Sequence, residues 1–304
     1  MSFCFIKPYE VTEAMLLSST ATDDDPPAWV AGTYSTGDEV TVGIEIYKAA
    51  TTTDTHPVDY VPTDPKEVPK WQYMGYVNRM RMFRDGIDSV TTGVGSLRVE
   101  LRYDDLAEGI ALLNCEGTTA TVTIEDDTGT EGEVFRREFE IVDYYVDNWF
   151  DFWWAPYRVK RNHTAVDLPP YIGAKVVIEI QGATPTSAVS IGCVAAGLVL
   201  NHGLTQWGVS VGEINASVFS RNGFGQLKYE PRRKVSTVEY KVSLDTRDFD
   251  RVCDDIRGIN GPVVAIGTSD GLFSAITIYG ILRDPRVVLP NIAFSDLSLE
   301  VEGF

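Results

Sequence analysis

The chain has 304 residues, 44% of them hydrophobic and 11% aromatic, which is enough to build more than one packed core. Its 26 glycines and 15 prolines favour many short strands joined by turns over helical bundles. A formal net charge of −18 repels phosphate and disfavours nucleic acid as a partner, and no apolar run approaches the ~18 residues that cross a bilayer as a helix.

The N-terminus opens on a short apolar strand, Phe3-Cys4-Phe5-Ile6, and a short helix is predicted near residues 11–18. Residues 1–10 lack the basic and apolar regions of a signal peptide, so cytoplasmic synthesis is expected. Asp23-Asp24-Asp25-Pro26-Pro27 then interrupts regular structure and reads as a boundary. Its acids lack the alternate spacing, central glycine and distal glutamate of a calcium loop. Next comes a small unit with two strands around a Gly37-Asp38 turn and a further strand arriving from Trp71. Trp29, Tyr34, Tyr47 and Trp71 are the large side chains available for its core. The threonine- and proline-rich stretch between them reads as an exposed loop, with Tyr60 as its aromatic candidate.

From Ser96 the period of two is strong. Leu97, Val99, Leu101 and Tyr103 alternate with Arg98, Glu100 and Arg102, as a strand with one buried face requires. Further strands are predicted at 111–113, 120–125, 134–141, 174–180 and 189–200, the turn spacing of a jelly roll or similar sandwich. Residues 201–228 are glycine-rich without a sustained period and are expected to form a long connection. After them come a strand at 235–244 and a helix capped by Asp245 and Thr246, with Phe249, Val252, Cys253 and Ile256 on one face and Gly258 at its end. Strands at 263–267, 273–281 and 297–301 complete the chain.

The densest aromatic segment holds Tyr144, Tyr145, Trp149, Phe150, Phe152, Trp153, Trp154 and Tyr157. Such rings either fill a sandwich core and a subunit contact, which is the expectation, or stack on sugars beside Asp147 and Asp151. The interface residues under the first reading are Tyr144, Tyr145, Phe152 and Tyr157, whereas Tyr60, Trp149, Trp153 and Trp154 are the carbohydrate-binding candidates under the second.

Catalytic signatures are missing from the sequence. His56, His163 and His202 are scattered, and neither a nucleophile elbow nor a phosphate-binding glycine loop occurs. Cys4, Cys115, Cys193 and Cys253 lie far apart without a Cys-x-x-Cys pair, which fits free thiols and not a zinc or redox centre. The chain is therefore expected to be no enzyme and to carry no metal, cofactor or catalytic residue. A glycosidase pair at Asp147 and Asp151 is weighed and set below ordinary surface acids.

The framework Trp29…Tyr34-x-x-Gly37-Asp38-x-Val40…Tyr47-x-Ala49…Trp71 resembles carbohydrate-binding modules of families 5 and 12. With Asn78-Arg79-x-x-Met82-Phe83 following, it looks like the start of a family of tail proteins from tailed bacteriophages. Leu168-Pro169-Pro170-Tyr171, the run from Val189 to Val199 and the terminal strand from Leu297 to Phe304 fit the same family. Where the sugar modules place further tryptophans, this chain has Thr51-Thr52-Thr53.

The fold expected is mainly β. A small N-terminal β module with its arm spans 1–85, a central antiparallel β-sandwich of jelly-roll type spans 95–215, and a C-terminal α+β domain spans 228–304. The resemblance implies a structural virion protein of the tail (tip, baseplate or fibre attachment), made in the host cytoplasm. It implies other phage tail proteins as partners and a homo-oligomer, trimer or hexamer. Neither nucleic acid nor membrane insertion is expected. Host-receptor recognition through a surface glycan is the alternative.

Overall fold

The computed structural model describes residues 2–58, 69–84, 86–126, 132–143, 148–154, 158–221, 223–268, 274–290 and 294–304. Among the described residues strand accounts for 53% and helix for 11%, in several antiparallel sheets. The chain begins with β1 (Ser2–Pro8), β2 (Leu16–Ser19), β3 (Glu39–Val42), β4 (Glu45–Ala49) and β5 (Trp71–Tyr76), followed by helix α1 (Asn78–Arg84). Then come β6 (Thr91–Val94), β7 (Ser96–Arg102), β8 (Gly109–Leu113), β9 (Thr119–Glu125), β10 (Glu133–Glu140) and β11 (Val142–Asp143). Helix α2 (Trp149–Trp154) precedes β12 (Arg158–Val159), β13 (His163–Ala165), β14 (Lys175–Gln181), β15 (Ala188–Ile191) and the long β16 (Cys193–Thr205). The remainder is β17 (Ser210–Asn215), β18 (Val218–Arg221), β19 (Leu227–Glu230), β20 (Lys234–Asp245), helix α3 (Phe249–Arg257), β21 (Val263–Ile266), β22 (Thr277–Val288) and β23 (Phe294–Gly303).

The largest sheet runs β13-β8-β16-β1-β21-β22-β23-β20-β17, and β16 also pairs with β20 through Leu204↔Ser243 and Thr205↔Val242. That extra pairing closes β16, β1, β21, β22, β23 and β20 into an antiparallel barrel, which removes the exposed edges an open sheet would leave. Phe3 and Phe5 point into it with Val238, Tyr240, Val242, Leu297 and Leu299, and α3 adds Val252 to the same core. Cys4 and Ile6, one residue out of phase, face the other side and pack with Ala111, Leu113, Cys193 and Ala195. The first strand is thus buried on both faces, which is why Phe3-Cys4-Phe5-Ile6 is apolar without alternation. The pairing also links segments far apart in sequence, because β1 and β16 are staves of a barrel otherwise built from residues 234–303.

The second large sheet runs β10-β9-β14-β7-β6-β15, with β2 on the other edge of β7. Its apolar face, including Leu97, Val99, Leu101, Val122, Ile124 and Ile178, packs on Ile110, Leu112, Ala165, Val194 and Ala196 from β8, β13 and β16. Two sheets therefore sandwich one core, and β16 belongs to both sandwich and barrel. On the outer face, Lys175 bridges Glu100 (3.2 Å) and Glu125 (3.1 Å) across three strands.

The N-terminal module is the sheet β3-β4-β5, and its core of Val40, Ala49 and Trp71 is flanked by Trp29, Tyr34 and Tyr47, the aromatics expected there. Gly37 does turn the chain at φ +100°, but the β3–β4 hairpin closes at Gly43 (φ +62°), and Tyr34 makes only an isolated bridge to Thr53. Two further expectations need correction. Residues 11–18 form a 3-10 turn at Glu13–Met15 and then β2, because the open edge of β7 offers Leu16–Ser19 strand partners. Residues 201–228 are the end of β16 together with β17, β18 and the start of β19. With both faces wet, β17 and β19 need no apolar alternation and leave no period to read. Helix α3 carries the expected residues and ends at Gly258, but the Asp245 carboxylate, which accepts from the Arg247 amide (2.9 Å), caps a 3-10 turn at Thr246–Asp248 that precedes it, and α3 has no side-chain cap of its own.

Candidate interaction surface

The backbone leaves the sandwich after Ile141, pairs Val142 with Val159 and Asp143 with Arg158, and carries α2 beyond that short stalk. Lys160 donates its amide to the Ile141 carbonyl (2.8 Å) and closes the base. On α2, Trp149 is 76% exposed, Trp153 68% and Trp154 74%, with Phe150 and Phe152 also exposed. Phe152 stands edge-on to Trp149 (5.9 Å) and to Trp153 (5.1 Å). The expectation that this segment fills the sandwich core is therefore wrong for these five rings. The buried cluster of the sandwich is built from strand residues such as Leu97, Val99, Leu101, Val122 and Ile178, and none of the five rings belongs to it. A cluster of large rings this exposed is uncommon on the surface of a monomeric protein. Tyr60, Tyr144, Tyr145 and Tyr157 lie outside the described residues, as does Asp147.

A second apolar excursion had no counterpart in the sequence reading. Among the described residues, strands β18 and β19 pair only with each other, Val218↔Glu230 to Arg221↔Leu227. Phe224 at the tip is 94% exposed and Leu227 62%. The root is fixed: Ser217 Oγ accepts from the Arg232 amide (3.0 Å), Arg233 pairs with Asp88 (2.9 Å) and Lys234 with Glu213 (3.0 Å). The available signal was the Asn222-Gly223 dipeptide between Val218-Phe219-Ser220-Arg221 and Leu227-Lys228-Tyr229-Glu230, a turn pair between two short strands.

A groove of about 810 Å³ is lined by Arg137, Phe139, Lys160, His163 and Asp167. Arg137 holds Asp167 through two bonds of 2.7 Å, and His163 Nε2 donates to the Lys160 carbonyl (2.8 Å). Burial lowers the His163 pKa, so the ring stays neutral at pH 7. Cys4, Cys115 and Cys193 are buried, and loss of hydration pushes their thiols up to about 12, far from the thiolate a nucleophile needs. Among the described residues no cluster of three or more histidine, cysteine or acidic side chains is arranged to hold a metal, and no helix is long and apolar enough to cross a membrane. Comparison of the chain with protein-family models, with curated proteins and with solved structures finds no match.

Proposed function

We propose that the chain is a structural virion protein of a bacteriophage tail, a tip, baseplate or fibre-attachment component that acts by assembling with copies of itself and with neighbouring tail proteins. The observation that carries the assembly half is α2, whose tryptophans stand in solvent on a stalk clear of the core. Exposed aromatic anchors of this kind supply much of the binding energy in protein interfaces. The tail half rests on the resemblance of residues 29–83 to the start of tail proteins. The role is geometric, with no catalytic step and no cofactor. Gold-tagged antibody on intact virions of the source phage is the test. Gold at the tail tip or baseplate supports the reading, and gold on the capsid, or none on particles that mass spectrometry finds free of the protein, sinks it.

A second reading, recognition of a host surface glycan, is favoured by the same exposure of Trp149, Trp153 and Trp154, since flat rings in solvent can stack on pyranoses. Tryptophan emission titrated with host surface polysaccharide separates the two. A saturable shift, abolished in Trp153→Ala/Trp154→Ala, supports glycan binding, and an unchanged spectrum excludes it at these rings.

A further inference from the structure

We infer that the β18–β19 hairpin of one copy of this chain seats on the aromatic helix α2 of the next, a head-to-tail contact between two different surfaces. The inference deepens the assembly reading and rests on it. Three observations carry it.

Both elements are exposed in the single chain. Phe224 is 94% and Trp149 76% accessible, so neither covers the other within one molecule. A two-stranded hairpin alone in water is marginal, and every described side chain from Gly223 to Lys234 is exposed. Its root is nevertheless held by Arg233–Asp88 and Lys234–Glu213.

The charges of the two elements are opposite. Helix α2 with its stalk, residues 142–159, carries Asp143, Asp147 and Asp151 against Arg158 in the sequence. The hairpin and its root, from Val218 to Arg232, carry Arg221, Lys228 and Arg232 against Glu230. Copies of a chain at −18 repel, so close approach needs a local reversal of sign, and this hairpin supplies one beside apolar Phe224 and Leu227.

Because hairpin and helix are different surfaces, each copy keeps one free donor and one free acceptor after pairing. Such a contact propagates into a ring or an open chain and does not stop at a two-fold dimer.

The test uses the full chain in sedimentation velocity over a concentration series. The helix variant is Trp153→Ala/Trp154→Ala, and the hairpin variant is Arg221→Glu/Lys228→Glu/Arg232→Glu. All five positions are on exposed elements, and an unchanged thermal midpoint confirms folding. The wild type is expected to assemble beyond a dimer, with association weakened in 0.5 M NaCl. Each variant alone is expected to stay monomeric, its association weakened at least ~100-fold. An equimolar mixture of the two is expected to stop at a one-to-one dimer, since one intact hairpin and one intact helix remain. A mixture that stays monomeric, or variants that assemble like the wild type, overturns the hairpin–helix contact and leaves assembly by other surfaces standing. A wild type that is monomeric at the highest concentration overturns self-association altogether, while the tail assignment still answers to the gold-labelling result.

Discussion

Asn78 is where three separate stretches of chain are pinned together. Its Nδ2 donates to the Thr22 (2.8 Å) and Thr92 (3.1 Å) carbonyls, its Oδ1 accepts from the Thr92 amide (3.0 Å), and its own amide donates to the Asp25 carboxylate (2.9 Å). The residue is fully buried. Asn78→Ala is expected to lower stability by about 2–4 kcal/mol, read as the urea midpoint, because it strands a buried amide and carbonyls. Asn78→Asp fails similarly, since a carboxylate cannot donate to Thr22 and Thr92. A loss under about 0.5 kcal/mol, the usual range for a surface change, sinks this account. The residues Asn78-Arg79-x-x-Met82-Phe83 stood out in the sequence, yet the physical task of Asn78 was not legible there, because its partners lie in segments separated along the chain. His202 gave no signal at all. It is fully buried against Phe5 (5.4 Å), neither ring nitrogen has a hydrogen-bond partner among the described residues, and Asp255 Oδ2 stands 3.8 Å from Nε2. Desolvation lowers its pKa, against the pull of the Asn201 backbone, Asp255 and Asp248 and with the push of Arg251 on α3. The unfolded chain then binds a proton near pH 6.5 that the folded chain refuses. Stability is therefore full above that pH and falls, by up to ~1.4 kcal/mol per pH unit, as pH drops below it toward the folded pKa. His163, lowered in the same direction, adds to the slope. Urea midpoints between pH 7.5 and 5 should flatten in His202→Phe, and an unchanged slope excludes His202 as a source.

At the scale of the element, the decisive contact is β1 against β16. Pro8 stands opposite Gly197, and a Cβ built on Gly197 would lie 1.9 Å from the Lys7 carbonyl oxygen. Only a glycine lets the two backbones approach so closely. Gly197→Ala is expected to cost about 3 kcal/mol, at the upper end for overpacking, because the obstacle is backbone and cannot turn aside. Gly223→Ala, where a Cβ meets open space, serves as control and should stay within ~0.5 kcal/mol. Equal midpoints for the two variants refute the close-approach argument. Elements with one buried face, such as β7 and α3, were legible because burial imprints a period on the sequence. The aromatic density of α2 was legible too, but its exposure was not: a tryptophan that fills a core and one that awaits a partner are the same letter. The hairpin β18–β19 escaped because a strand wet on both faces is under no pressure to alternate.

At the scale of the molecule, strand pairing over long sequence distance is the part that one sequence hides, and here it decides what folds with what. Residues 228–304 read as a unit able to fold alone, yet the barrel they enter takes β1 and β16 as two of its six staves. Without them Phe3, Phe5 and Leu200 leave the barrel core, and β21 and β20 each lose a neighbour. A fragment of residues 228–304 is therefore expected to remain unfolded by near-UV circular dichroism, and a cooperative melt from it would refute the shared-stave description. The same sharing ties barrel to sandwich, because β16 pairs β8 through Cys193–Gly197 and β20 through Leu204 and Thr205. Cys4 and Cys193 lie in the cluster between the two cores, and Cys115 lies in the sandwich. Burial raises all three thiols, so the native protein is expected to react with a thiol reagent only at Cys253, the one half-buried cysteine. In rising urea, Cys4, Cys115 and Cys193 should become reactive at one shared midpoint. Exposure of Cys115 well before Cys4 would mean that the sandwich opens while the barrel stands, and β16 would then be a linker between two independent units instead of a strand that both require.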